Sequence, residues 1–162
     1  MTGGGASQTL QGDEPPEFDL RPARLDDFEF TRRLYIASMQ PLLTALNAWN
    51  RDTIEAAFRS YFDLSEIKIV VVNGVDIGWQ QVSITEDALC LDQLHLVPES
   101  RCRGIGTALI GAIVADARAQ KKDVTLSFVN GNRAHALYRR LGFNTMSRDK
   151  TKTYMRLLTT QA

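Results

Sequence analysis

The chain has 162 residues, 44% apolar and 23% charged, which suits one globular domain with a core and is too short for two. No apolar run approaches the ~18–20 residues that cross a bilayer as a helix, which excludes a helical membrane span, and two cysteines, Cys90 and Cys102, exclude a disulfide framework or a cysteine-built zinc cage and suit a reducing cytoplasm. Net charge is zero, yet residues 1–100 hold 16 acids against 7 bases and residues 101–162 hold 3 against 12. The second half therefore suits an anionic ligand and the first a cationic one, unless the two halves simply pair with each other. No basic run interleaved with aromatics points to nucleic acid.

Residues 1–17 lack the basic start and apolar core of a signal peptide and read as a solvated tail. Order is expected from Phe18, where FDLRPA forms a short strand. Leu25 to Asn47 is rich in helix formers, with Pro41 expected to divide it. A second helix is expected from Asp52, as its cap, to Phe62. The period then changes. IKIVVV (67–72) and DIGWQQVSI (76–84) flank Asn73-Gly74, a strong hairpin signal, and ALCLDQLHLV (88–97) follows as a third strand that stops at Pro98. Residues 67–97 thus predict an antiparallel meander. Gly104 to Gln120 carries a helical stripe of Ile105, Leu109, Ala112 and Ile113. VTLSFV (124–129) reads as a buried strand, and Asn132 to Leu141 as a short helix ended by Gly142. Closing strands are expected near 143–147 and 153–158, leaving 159–162 as a tail. There is no repeat and no second domain.

The sharpest chemical signal is Arg101-Cys102-Arg103-Gly104-Ile105-Gly106, between the long strand and the long helix. A helix start offers unpaired N–H groups and the positive end of the macrodipole, and glycines let an anion approach the backbone closely. A dinucleotide fingerprint would need glycine at 109, where Leu109 stands; a nucleoside-triphosphate loop would need Gly-Lys-Ser/Thr, and the chain reads Gly106-Thr107-Ala108. Both are excluded. No clustering of His, Cys or acids suggests a metal.

What remains, Arg101-x-x-Gly104-x-Gly106 after a strand and Pro98, followed at 132–143 by NRAHALYRRLGF, resembles two motifs of the GNAT superfamily of acyl-CoA-dependent N-acetyltransferases. The motifs cover 94–143; the architecture covers 18–158. The resemblance implies a mixed α/β sheet, antiparallel and then parallel, flanked by helices, with strands 88–97 and 124–129 splayed to admit the pantetheine arm of acetyl-CoA. Leu94 and Leu96 would pair with that arm through their backbones. Arg101, Cys102, Arg103, Gly104, Ile105, Gly106 and Thr107 would form the pyrophosphate cradle, and Asn132 would contact the pantetheine. Arg133, Arg139 or Arg140 would reach the 3′-phosphate or merely be solvated.

Within that resemblance Tyr138 is the proton donor to the departing thiolate, since a phenol stays protonated at neutral pH; packing at a helix end is its bland alternative. Positions six and eight residues ahead of Pro98 hold Asp92 and Cys90. Asp92 is the candidate base, directly or through water, and Cys90 packs. His95 titrates in the right range for a base, on the opposite parity from Asp92 unless a bulge intervenes, and is equally suited to a structural role. His135 falls on an exposed helix face. Trp49 lies where the family's first helices wall the acceptor cleft and would stack on substrate or anchor the loop; Trp79 is core.

The implied reaction is direct attack of a primary amine on acetyl-CoA in a ternary complex, the acceptor being a small-molecule amine. The alternatives are acetylation of protein lysines or N-termini, and a non-catalytic acyl-CoA sensor. A monomer or a homodimer is expected, in the cytoplasm, with no metal, membrane or nucleic-acid partner.

Overall fold

A computed structural model describes residues 14–159; residues 1–13 and 160–162 of the two expected tails lie outside the described residues. The strands are β1 (Asp19–Pro22), β2 (Ile67–Val72), β3 (Val75–Ile84), β4 (Ala88–Leu96), β5 (Asp123–Val129), β6 (Asn144–Arg148) and β7 (Lys152–Leu157), and the α-helices are α1 (Phe28–Ala45), α2 (Arg51–Tyr61), α3 (Ile105–Ala119) and α4 (Ala134–Arg140). One sheet runs in the order β1-β2-β3-β4-β5-β7-β6. Every neighbouring pair is antiparallel except β4 and β5, so the mixed sheet read from the sequence is the observed one.

Local chemistry accounts for most boundaries. Asn73 and Gly74 both have positive φ, 49° and 76°, the two-residue turn that twists with a hairpin. Gly142 (φ 99°) ends α4 in the left-handed region. Two details differ from expectation. Pro41 does not divide α1, which runs through it unbroken. The carbonyl deprived of its N–H partner belongs to Ala37, an exposed residue on the solvent side of the helix. The cap of α2 is Asn50 rather than Asp52: its side chain accepts from Thr53 N–H at 3.0 Å, and Asp52 falls in the first turn.

The sheet buries both faces. Against one, α1 and α2 pack Leu34, Tyr35 and Phe58 on Ile67, Ile69 and Trp79. Against the other, α3 and α4 pack Ile110, Ile113 and Tyr138 on Leu89, Leu91, Leu126, Phe128 and Met155. Trp79 is core, 1% exposed. No described helix is long and apolar enough to cross a membrane.

The two charge-biased halves do not neutralise each other. Arg21 pairs with Asp27 and Asp76, and Arg32 and Arg51 with Glu55, all inside the acidic half. Arg156 to Asp87 crosses between halves, the single described ion pair to do so. Most of the positive charge of the second half is left to solvent or to a ligand.

Candidate active site

Four rungs join β4 to β5, from Ala88–Asp123 to Leu91–Leu126. Beyond Leu91 the strands part. Each remains paired on its outer side, β4 with β3 and β5 with β7, so the inner edges of 92–96 and 127–129 face a V-shaped cleft. The parting coincides with a bulge. Gln81 lies opposite Gln93 and Val82 opposite Leu91, so Asp92 is the extra residue. The bulge reverses side-chain parity: Leu91 and Leu94 both pack on the α3 side, whereas Gln93 and His95, opposite Gln81 and Trp79, turn to the α1 side. The intervening bulge removes the simple parity relation expected between Asp92 and His95. Asp92 itself is exposed and lines the cleft.

Tyr138 reaches the cleft from α4, packed against Phe128 and Phe143 with ring centroids 5.5 and 6.0 Å away. It is 7% exposed, and burial pushes its phenol up to about 12, so it holds its proton throughout the neutral range. His95 also borders the cleft, but its ring is packed between Trp79 (5.0 Å) and Tyr35 (5.6 Å), and its Nε2 donates to Gln93 Oε1 at 2.7 Å. Burial first, then the nearby Arg101 charge, lower its pKa to about 3, which leaves it little basicity. Asn132 lines the cleft and accepts the Ala134 N–H at 2.9 Å, which starts α4 and leaves its amide NH₂ uncommitted.

The loop before α3 has the form of an anion cradle. Cys102 and Gly104 both take positive φ, 61° and 80°, curling the backbone at two positions. The sequence had marked the glycine but gave no sign of the left-handed cysteine, which is exposed. Ala108 is the first N–H to find a helical acceptor, the Gly104 carbonyl at 3.0 Å, and no side chain caps the helix. Ile105, Gly106 and Thr107 therefore present N–H groups outward. A Cβ on Gly106 would have nothing within 4 Å, so the space over the helix start is open. This open, uncapped start fits the diphosphate of a coenzyme A.

Arg101 and Arg103 diverge. Arg103 is exposed beside the cradle. Arg101 turns back: its Nε donates to the Leu96 carbonyl at 3.0 Å and its other nitrogen approaches Ser38 Oγ at 3.5 Å, tying the end of β4 to α1. Leu94 lines the cleft, and Leu96 packs on the cluster around Ile105 and Leu109. The tail expected to be free is not wholly so: Pro15 lies about 3.3 Å from where a Cβ of Gly104 would stand. Trp49 follows α1 half-buried against the α1–α2 cluster, and Cys90 lies on β4 in the rung opposite Thr125. His135 stacks on Phe128 at 5.0 Å, less exposed than its helix position suggested.

Among the residues lining the cleft that sequence reading missed are Met39 and Leu42 of α1, Ser127 of β5 and Lys152 of β7. None belongs to a motif, and their convergence depends on strand order. No group of His, Cys, Asp and Glu among the described residues is arranged to hold a metal.

A family model described as an acetyltransferase (GNAT) domain matches residues 65–145. No curated protein matches the chain. Among solved structures, the PaiA N-acetyltransferase of Thermoplasma acidophilum, in complex with coenzyme A, superposes with a TM-score of 0.70 at 17% identity, over 86% of this chain and 98% of that one. The ribosomal-protein-S18-alanine N-acetyltransferase of Escherichia coli gives 0.64 at 16%, over 90% and 96%. An acetyltransferase of Thermus thermophilus gives 0.66 at 13%, over 86% and 96%. The fold of all three is the fold described above.

Proposed function

Because the chain belongs to the GNAT acetyltransferase family, we propose that it transfers the acetyl group of acetyl-CoA to a primary amine by direct attack, the acceptor being a small molecule. The observation that carries this reading is the cleft beyond Leu91–Leu126, lined by Asp92 and Tyr138 and lying between the cradle and α1.

Acetyl-CoA supplies an activated thioester acetyl. The N–H groups of Ile105, Gly106 and Thr107 and the charge of Arg103 would hold its diphosphate, and the open edge of β4 at Leu94 and Leu96 would hold its arm. Asn132 offers an amide donor where that arm runs. Asp92, exposed at the bulge, takes the proton of the incoming ammonium directly or through one water. Tyr138, protonated and desolvated, gives a proton to the departing sulfur. Its raised pKa favours delivery to a thiolate only as charge develops there, which is when a donor is useful. His95 acts as a packed ring that positions Gln93. Neither Cys90 nor Cys102 is among the residues lining the cleft, which favours direct attack over an acetyl-enzyme.

The experiment is release of CoA, followed with a thiol reagent, over a panel of primary amines. Turnover with at least one small amine supports the reading. Tight acetyl-CoA binding with silence over the panel would support a sensor, and turnover confined to peptides would support a protein acceptor.

A further inference from the structure

Among the described residues, the cleft presents one charge of each sign that makes no ion pair, Asp92 and Lys152, to the acceptor side. We infer that the acceptor is a free α-amino acid with an apolar side chain, its carboxylate held by Lys152 and its amine by Asp92. This rests on the transferase reading and narrows it.

Strand alternation fixes the side on which Lys152 lies. On β7, Thr153 and Met155 are buried, and Met155 packs in the α3–α4 core. Lys152 and Tyr154 are exposed and point to the opposite face, that of α1. Through the register Lys152–Val129, the lysine stands at the mouth of the parted strands. Met39 and Leu42 reach the same cleft from α1. The cradle lies at the start of α3, on the other face, so Lys152 is set for the acceptor rather than for the diphosphate.

The lysine is held in place by its backbone. Its N–H donates to Asp149 Oδ1 at 2.7 Å, and its carbonyl accepts from Asp149 N–H at 2.9 Å. The turn is pinned to β5 by Asn130, whose N–H donates to the Thr151 carbonyl at 2.8 Å and whose side chain bonds the Asp149 carbonyl and Thr153. Asn130 and Thr153 are buried, so this anchor is rigid. The ammonium itself forms no ion pair among the described residues. Asp149, the acid nearest to it in the turn, accepts the N–H groups of Thr151 and Lys152 at one carboxylate oxygen, Oδ1, and the lysine charge is the smallest of the influences lowering its pKa.

Asp92 likewise has no ion pair or side-chain hydrogen bond among the described residues. By contrast Asp27, Asp76, Asp87 and Asp123 are all bound to arginines. His95 is neutral. The wall from Leu34 to Asn50 carries no charge at all, and it contributes Met39 and Leu42. An amine beside a carboxylate, with an apolar arm on that wall, matches all three features. The cationic acceptor suggested by the acidic first half is replaced by a zwitterion, because Asp92 is the one acid of that half among the residues lining the cleft.

The test uses the full chain with acetyl-CoA and four acceptors: L-leucine, L-methionine and their primary amides, which differ at the carboxylate. Wild type is expected to favour acid over amide in kcat/KM by about tenfold or more, the scale of a charged hydrogen bond. Lys152→Met should bring the ratio near unity and Lys152→Glu should invert it. Comparing ratios across variants cancels the different basicities of the two amines, and unchanged melting temperatures check folding. Equal ratios in all three proteins overturn the proposal. Silence toward all four acceptors in a protein that binds acetyl-CoA also overturns the acceptor class and leaves the transferase reading standing. Absence of acetyl-CoA binding by calorimetry removes that reading and the acceptor class with it.

Discussion

Leu91 of β4 and Leu126 of β5 form the last rung of the one parallel pairing in the sheet, and both side chains pack into the α3–α4 core. The rung acts as the hinge of the V. Below it the strands are zipped; above it, the extra residue Asp92 bends β4 away while the core still anchors both strands. The cleft is thus held open by packing.

Removing the Tyr138 hydroxyl tests its place beside that cleft. Tyr138→Phe keeps the ring against Phe128 and Phe143, so folding should be intact. Turnover is expected to fall by about 10²–10⁴-fold, the range for loss of general acid catalysis, with acetyl-CoA affinity nearly unchanged. Steady-state kinetics with calorimetry distinguish this from a packing role, which would leave kcat intact.

Gly106→Asp separates folding from cofactor binding. A side chain there meets nothing within 4 Å, and an acid in the first turn complements the helix dipole, so stability should rise by roughly 0.3–1 kcal/mol. The same negative charge occupies the space for the diphosphate, and acetyl-CoA binding should be lost. Gly104→Asp is the poorer probe, because φ is +80° and Pro15 stands in the way, so it should also destabilise. Retained affinity in Gly106→Asp by calorimetry would reject the cradle.

Asp92→Asn replaces an exposed carboxylate at the bulge by its isostere. If Asp92 takes the amine's proton, the acidic limb of the pH–rate profile should flatten and the rate near neutrality should drop, with the melting temperature unchanged. An unaltered profile would hand deprotonation to solvent.

His95 makes stability depend on pH. Its folded pKa, about 3, lies below the unfolded value near 6.5, so the unfolded chain binds the proton first. The contribution is complete above pH ~6.5 and is lost as pH falls toward 3. Between pH 7 and 5 this amounts to about 2 kcal/mol. The carboxyl of Asp27, lowered chiefly by its Arg21 hydrogen bond, contributes only at lower pH. Urea midpoints of wild type should therefore drop between pH 7 and 5, and His95→Phe should show a much smaller drop. Parallel behaviour of the two proteins would place the ring outside the core.

Short-range chemistry made much of this molecule readable from its residues. Asn73-Gly74 encodes a hairpin, Gly142 a helix end, and Arg101-x-x-Gly104-x-Gly106 an uncapped helix start, because each depends on backbone preferences within a few positions. The paired motifs at 101–106 and 132–143 carried the family for the same reason. Tertiary structure alone decided what crosses between elements. The bulge at Asp92 exists only against Gln81 and Val82, and it sends His95 into the ring cluster of Trp79 and Tyr35, where burial removes its basicity. Arg101 spends its guanidinium on Leu96 and Ser38, a partner 63 residues away, instead of on the cradle beside it. Lys152 reaches the cleft only because β7 inserts between β5 and β6. Periodicity reports which face a side chain takes on its own strand; it carries no information about which strand lies alongside.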